Sequence, residues 1–431
     1  MAFYCALFLT LFARYGALNP GDVGRHIGPF SIALIFWLLI FYAGSFYDRR
    51  AFGTGSRLAQ HFLVLLAIGA VVMIVLFYFV PAFGIAPKAN LFIFLIFFGV
   101  LLLLWRLLMN SIFVRISPQD RILMIGSGEA MDQLVEHIGN YPSLGYRVVA
   151  VLNPSSVYNP AKAIEEAVGE HDINVIVANS QSKKDWQMSK TIYEKVLEGV
   201  RFIPLSKLYE IIFKKISIAE LEDIWSLRYI PRHQSNYARL RYLFESLIAS
   251  LMFVVLLPLM AVVALLISLT SSGSPIYRQK RVGYRGKEFW LYKFRTMYSQ
   301  KSLNPDADAS KPSWWAGGKD GRVTWFGRFL RATHLDELPQ LFNILRGDMS
   351  FIGPRPERPE FTQTLEQKIP FYELRHLIKP GITGWAQINF GYGASTKDAY
   401  EKLQYEIYYL ENRSLLFDMI ILLKTLKKFF R

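Results

Sequence analysis

Residues 243–269 read LFESLIASLMFVVLLPLMAVVALLISL, and the reading of this stretch decides the architecture. It is long enough to cross a bilayer, which takes about 20 apolar residues as a helix. Its flanks argue against a plain crossing. Arg232, Arg239 and Arg241 precede it, and Arg278, Lys280, Arg281, Arg285 and Lys287 follow. A spanning helix would carry one basic cluster outside, against the bias that keeps lysine and arginine cytoplasmic. Pro258 sits mid-run, where it removes a backbone donor and bends a helix. Together these features predict a re-entrant, kinked helix hairpin over about 243–270 that enters and leaves by the cytoplasmic face. A straight fifth span is the alternative.

Four apolar runs lie upstream, at roughly 2–12, 30–46, 62–80 and 91–113. They predict a four-helix transmembrane bundle over residues 1–116. No lysine or arginine precedes the first run and no clear small-residue cleavage site follows it. It therefore reads as a membrane helix, shortened if the chain begins upstream, rather than as a signal-peptide core. Asp48-Arg49-Arg50 and Arg57 follow the second run, and Arg115 and Arg121 follow the fourth, while the other loops hold Arg25 and Lys88. Both ends of the bundle are expected in the cytoplasm.

Residues 117–228 change character. RILMIGSGEAMDQLVEHI (121–138) reads as strand, glycine turn and amphipathic helix; YRVVAVLN and INVIVANS read as further strands, and Ser189–Glu198 as a second helix. Strands alternating with helices predict a small, parallel, Rossmann-like α/β domain. Residues 229–240 form a polar, basic linker, and 241–431 a mixed α/β domain rich in Arg, Lys, Trp and Tyr. The closing LLFDMIILLKTLKKFF suits either an amphipathic helix on the membrane or a core helix.

The chain is 52% hydrophobic over 431 residues yet carries a net charge of +15, a pairing that suits a membrane protein with basic water-facing parts. Such a surface attracts anionic lipid or phosphate substrates. Nucleic acid is excluded as a partner: the most apolar stretches are membrane-length, and no zinc-finger, basic-zipper or RNA-binding aromatic motif occurs. The single cysteine, Cys5, excludes disulfides and a cysteine metal site, and the seven histidines lack a ligand spacing.

Several motifs are candidates for chemistry. Gly126-Ser127-Gly128 opens a helix after a strand, but Met131 stands where a dinucleotide fingerprint has its third glycine, so a degenerate domain without a tight cofactor is favoured. Asp306-Ala307-Asp308 resembles a metal-binding D-x-D, a pattern common by chance in polar loops. THLDELPQL (333–341) places Asp336 and Glu337 among Arg328, Arg331, Arg346 and Arg355. Thr333 with Asp336 resembles a capping box, and Pro339 suits an early helical turn. The same acids can also serve a phosphate site, one attacking while the other binds metal or handles a proton. The nearby guanidinium groups supply bidentate phosphate donors. SFIGPRPE (350–357) fixes Arg355 between two prolines, KPGITGWAQ (379–387) is turn chemistry placing Trp385, and YKFRTM (292–297) interleaves cations with aromatics near the hairpin's exit.

LYKFRTM, LDELPQLFNILRGDMSFIGPRP and KPGITGWAQ resemble the bacterial sugar transferase family, the monotopic phosphoglycosyl transferases, over roughly 241–431. The bundle and Rossmann-like domain ahead of them look like the family's large form. That form typically initiates exopolysaccharide, capsule or O-antigen units. The resemblance implies transfer of a sugar 1-phosphate from a UDP-sugar, glucose or galactose being common donors, to undecaprenyl phosphate with release of UMP. It implies Asp336 as nucleophile through a covalent aspartyl-phosphosugar, with Glu337 as metal ligand or proton handler and Mg2+ held partly by the pair. It further implies Arg331 and Arg355 around the phosphates, and Lys293 and Arg295 in a basic motif for the lipid phosphate or for anchoring. The expected setting is the bacterial inner membrane, with the catalytic domain in contact with lipid on the cytoplasmic face; the large form also suggests a homodimer. Members often carry Ser-Pro at the kink, where this chain has Leu257-Pro258. The alternative from another class is a non-catalytic membrane scaffold or sensor acting through the Rossmann-like domain, and a third is a conventional glycosyltransferase using Asp306 and Asp308.

Overall fold

A computed structural model describes residues 1–44, 46, 56–79, 88–116, 119–179, 186–221, 235–298, 322–391, 393 and 395–429. Asp48–Arg50, the D-x-D at 306–308 and residues 229–234 of the linker lie outside the described residues. The chain divides into two compact units, Met1–Leu205 and Ser206–Arg431.

The first unit opens with four helices: α1 (Ala2–Tyr15), α2 (Pro20–Ala43), α3 (Ser56–Phe79) and α4 (Lys88–Ile116). Their shared core is aromatic, with Phe3, Phe30, Trp37, Phe41, Phe94 and Phe98 buried together. A Cβ on Gly69 would collide with the Trp37 indole, so glycine is what lets α3 close over that ring. Pro20–Tyr42 and Asn90–Met109 are long and apolar enough to cross a membrane, and 2–15 and 62–78 are shorter apolar helices.

A parallel α/β domain follows. Its strands are β1 (Asp120–Ile125), β2 (Tyr146–Leu152), β3 (Val175–Ala178) and β4 (Arg201–Pro204), ordered β2-β1-β3-β4. The crossovers carry α5 (Glu129–Asn140), α6 (Pro160–His171) and α7 (Trp186–Leu197). Central β1 and β3 are continuous apolar runs because both of their faces are covered. Gly126 and Gly128 adopt φ of 133° and 127° at the β1–α5 turn, conformations open to glycine. Met131 is buried, and Glu129 and Asp132 occupy the first turn of α5, where they repel rather than attract a pyrophosphate.

The second unit begins earlier than composition suggests. Residues 206–221, assigned by sequence to the Rossmann-like domain, pack here. They comprise most of α8 (Leu205–Phe213) and a strap after it. The strap lies on α14 (Thr396–Asn412) and the short helix α13 (Trp385–Asn389). Trp385 Nε1 donates to the Lys214 carbonyl at 2.8 Å, Ile216 N to the Gln404 carbonyl at 3.1 Å, and Lys215 pairs with Glu401 at 2.8 Å. Ile216 and Ile218 are buried among Tyr372, Leu403 and Ile407.

The decisive stretch is one helix, α9 (Ser235–Thr270), unbroken through Pro258. α9 is supported by packing on both sides of the proline. Ala249, Phe253 and Leu256 pack with Leu291, Leu341, Ile344 and Met349 before it. Met260, Val263, Ala264 and Ile267 pack with Phe294, Phe326 and Leu330 after it. This i, i+3, i+4 stripe is the only face the catalytic body needs. The other face, including Leu243, Leu247, Leu251, Val254, Val255, Leu265 and Leu269, is exposed. Arg241, which in the sequence reads as a flanking surface charge, is instead half-buried and fully engaged. It pairs with Glu245 at 3.0 Å and Asp418 at 3.5 Å and donates to Tyr409, Ser350 and the Ile352 carbonyl.

After α9 come the antiparallel hairpin β5 (Ile276–Val282) and β6 (Glu288–Phe294), then α10 (Trp325–Ala332), α11 (Gln340–Arg346) and β7 (Ser350–Ile352). Next are α12 (Pro359–Lys368) and β8 (Gly381–Thr383), and α15 (Leu415–Phe429) closes the unit. Parallel β7 and β8 bring the GPRP and KPGITGW motifs together. A Cβ on Gly353 would strike the Lys379 carbonyl, one on Gly381 the Gly353 amide, and one on Gly384 the Gly353 carbonyl. The glycines of both motifs are thus required by backbone-on-backbone contact. Gly381→Ala is expected to force β7 and β8 apart, costing about 1–3 kcal/mol as overpacking does. Its melting temperature should drop clearly below that of the exposed control Gly139→Ala, whose Cβ meets nothing within 4 Å.

Candidate active site

Asp336 and Glu337 sit on a single 3-10 turn, Leu335–Glu337, between α10 and α11. His334, in the left-handed region at φ 55°, reverses the chain into it. The expected capping box at Thr333 does not form. Thr333 ends α10 and donates its hydroxyl back to the Phe329 carbonyl at 2.8 Å, while the side chain capping α10 at its start is Thr324, accepting from Gly327 N at 2.8 Å. The turn leaves the two acids in different surroundings. Asp336 is buried, 9% exposed; Glu337 reaches into a cavity of about 690 Å³.

Glu337 is gripped by two cations. Its Oε1 accepts from Lys293 Nζ at 2.7 Å and from Arg355 Nη2 at 3.2 Å. Burial alone would raise its pKa; Lys293 and Arg355 outweigh that and hold the carboxyl down at about 2. Burial dominates at Asp336 and raises its pKa, with Lys293 pulling the other way and Glu337 adding to the rise. Lys293 is itself lowered, because desolvation exceeds the attraction of Glu337. Neighbouring carboxyls are thus driven apart, a pattern typical of sites where acids take different roles.

The arginine beside them is held by its backbone. Buried Arg375 donates to the Arg355 carbonyl at 2.9 Å, and half-buried Arg281 donates to the Pro356 carbonyl at 3.1 Å. Arg375 also bonds Tyr372 and pairs with Glu406 at 2.9 Å. Burial works against the Arg375 charge, but Glu406 outweighs it and raises its pKa. Burial also raises Glu406, yet a guanidinium does not yield its proton to a carboxylate, so the pair is ionic. Burial lowers Arg281 to about 10, with Glu357 opposing. The two prolines of GPRP and these two carbonyl grips restrict where Arg355 points.

The remaining sequence candidates separate. Arg331 donates to Thr296 Oγ1 at 2.9 Å and acts on Asp336 electrostatically. Arg295 does not face the acids: it donates to the Ser271 and Ser272 carbonyls at 2.7 Å each, tying down the end of α9. Of the two roles its motif allowed, the contacts are those of an anchor. Pro258 lies within α9 and takes no part in the cavity lining. Arg281, Arg375, Glu406 and the cavity wall escaped sequence reasoning. Arg281 had been read as a flanking charge, and nothing in LRH (374–376) distinguishes a buried arginine from an exposed one.

Metal binding rests on a small donor set. Among the described residues no group of three His, Cys, Asp or Glu side chains is placed to hold an ion. Two carboxylates nonetheless match Mg2+, which is commonly held by one or two carboxylates, substrate phosphates and water.

Comparison with known proteins gives the family. A family model described as bacterial sugar transferase matches residues 236–431, from the start of α9 onward. The UDP-glucose:undecaprenyl-phosphate glucose-1-phosphate transferase of Escherichia coli (strain K12) is 32% identical over 328 residues, 72% of this chain and 67% of that protein. The Klebsiella pneumoniae protein of the same name is 31% identical over 72% of this chain and 68% of its own length. The UDP-N-acetylgalactosamine-undecaprenyl-phosphate N-acetylgalactosaminephosphotransferase of Aeromonas hydrophila is 44% identical over 170 residues, spanning 39% of this chain and 38% of that relative. The chain belongs to the bacterial sugar transferase family, enzymes that by their relatives' names are membrane-lipid phosphotransferases. Its likeness to the two glucose-1-phosphate transferases extends well beyond the catalytic unit.

The ion pairs of Glu337 give a linkage prediction. A carboxyl depressed from 4.5 to about 2 contributes stability that is present above pH 4.5 and lost as pH falls toward 2. In Lys293→Met burial regains weight and the folded pKa of Glu337 rises toward its unfolded value, so the loss keeps its onset near 4.5 but is smaller and is complete at a higher pH. Melting temperatures of the solubilised protein and variant between pH 3 and 7 check the difference.

Proposed function

We propose that this protein transfers a sugar 1-phosphate from a UDP-hexose to undecaprenyl phosphate, releasing UMP, as the first membrane step of a surface polysaccharide. The carrying observation is Glu337, clamped by Lys293 and Arg355 beside buried Asp336 and open to the cavity. Asp336 Oδ attacks the β-phosphorus; the bond to the bridging oxygen breaks and its electrons leave with UMP. A phosphate oxygen of the lipid then attacks the same phosphorus, the aspartyl–phosphorus bond breaks, and Asp336 is regenerated as a carboxylate. The raised Asp336 pKa favours a more basic, stronger nucleophile once ionised, while Glu337 stays ionised throughout. Lys293 and Arg355 offset phosphate charge. Mg2+ bound by the two carboxylates would supply further charge neutralisation at the phosphates. The sugar is read only from relatives, whose names carry glucose and N-acetylgalactosamine.

We infer a monotopic placement for the catalytic unit on the cytoplasmic face of the inner membrane. Its support is the packing of α9 against one polar body on both sides of Pro258, from Arg241 to Ser271. A helix crossing the bilayer would leave such a body behind after its first turns. Re-entry keeps both ends of α9 with the body and gives its exposed apolar face to lipid.

The scaffold alternative has no comparable observation in its favour, since the acid pair, its cations and the cavity are all assembled. Asp336→Asn should abolish UMP release from UDP-sugar in the presence of undecaprenyl phosphate and Mg2+, by at least about 1000-fold. Near-normal release would sink the covalent route, and release of UDP by the wild type would point to a conventional glycosyltransferase. For placement, Thr270→Cys in a Cys5→Ser background should resist an impermeant thiol reagent added to intact cells; labelling would mean a fifth span.

A further inference from the structure

The cavity joins two chemically different ends. At one, Leu341, Phe351 and Ile382 belong to the cluster packed on α9, and Met252 of α9 joins the lining. At the other, Leu365, Tyr372 and Ala399 belong to the cluster formed around the 206–221 strap. Contacts run continuously between the ends: Glu337 to Arg355, the Arg355 carbonyl to Arg375, and Arg375 to Tyr372 and Glu406. Glu337 and Arg355 therefore line the cavity between an apolar end at α9 and a second chamber.

That second chamber is lined by Phe361 and Lys368 from α12, and by Phe390 and Lys402 from the end of α13 and from α14. Both rings are half-buried, presenting part of their surface. Lys402 is fixed beside one of them: its ammonium donates to the Gly393 carbonyl at 2.8 Å and lies 6.0 Å from the Phe390 centroid. One acceptor leaves two of its three donors for a ligand. A ring with an adjacent fixed donor suits a flat, carbonyl-bearing heterocycle, which stacks on one and bonds to the other. A hexose offers neither a π-face nor ring carbonyls.

We propose that Phe361, Lys368, Phe390 and Lys402 form a nucleoside subsite for the pyrimidine base and ribose of the donor, leaving the Met252 end to the lipid. The assignment rests on the reaction proposed above and adds its direction. The lipid reaches the acid pair from the membrane end, the nucleotide from the other, and UMP departs through the chamber away from α9. Two entrances onto one phosphate centre allow the nucleotide to leave before the lipid phosphate arrives. The subsite is also tied to the strap, because α13, which carries the chain to Phe390, is pinned through Trp385 to the Lys214 carbonyl.

The test uses the full-length protein in lipid nanodiscs, with UMP as inhibitor. Donor KM, lipid KM and the UMP inhibition constant are measured for the wild type, Phe390→Ala, Phe390→Tyr, Lys402→Met and Lys368→Met. Stacking on one ring accounts for about a 10-fold change in affinity. Phe390→Ala should raise donor KM and the UMP constant by the same factor of about 10, Phe390→Tyr should restore both, and lipid KM should not move. Lys402→Met and Lys368→Met should weaken UMP in the same sense. If UMP inhibition is unchanged in Lys368→Met and in Phe390→Ala or Lys402→Met, each with wild-type melting behaviour, the subsite is refuted. A shift in preference among UDP-sugars without a change in UMP binding also refutes it, since the chamber would then hold the sugar. Failure of the wild type to release UMP from any UDP-sugar overturns the reaction itself and is distinguishable from these outcomes.

Discussion

The Glu337 carboxylate, buried between Lys293 and Arg355, is the contact on which the catalytic unit depends. It joins three segments remote in sequence: β6, the turn after α10 and the GPRP loop. Burial disfavours the charged form of both Glu337 and Lys293, and each draws the other back toward it, with Arg355 adding to the hold on Glu337. Asp336 next door feels the same field with the opposite result. The acid pair is thereby divided into one permanently ionised member and one whose ionisation is less favoured.

Two further buried ionic groups carry that arrangement outward. Arg241 binds the start of α9 to β7, α14 and α15 through Glu245, Ser350, Tyr409 and Asp418. Removing it would leave two buried carboxylates uncompensated, a loss of about 3–5 kcal/mol in comparable cases. Arg375 with Glu406 forms the floor of the cavity and holds the backbone that aims Arg355. Helix α9, the GPRP loop and the cavity wall are consequently parts of one unit, and residues 206–221 belong to it although they precede the family's own match at 236.

Much of this was legible in the chain. Apolar run lengths gave the helical bundle, alternating strand and helix patterns gave the parallel sheet, and the acid pair with Arg355 and Lys293 stood out because motifs concentrate charge in short, proline- and glycine-fixed segments. The failures share a cause. Thr333 fits a capping box in sequence, but a left-handed His334 intervenes and the hydroxyl turns back to its own helix. Arg241 and Arg281 look alike as flanking charges, yet both are largely covered, and they face Glu245 and Glu357. Pro258 removes one backbone hydrogen bond from α9, and the helix runs through it because packing on both sides offsets that loss.

By itself the sequence determined which segments are apolar enough for lipid, where the α/β pattern begins, and which short motifs gather charge beside fixed turns, since hydrophobic period and glycine or proline placement are local properties. Tertiary structure alone decided which of many arginines are buried, which acid meets which cation, that 206–221 completes the catalytic unit, and that the cavity has two unlike ends. Those outcomes depend on burial and on pairing between residues as much as 195 positions apart, as Tyr209 and Gln404 are. No local pattern encodes the dielectric or the partner that such a side chain will meet.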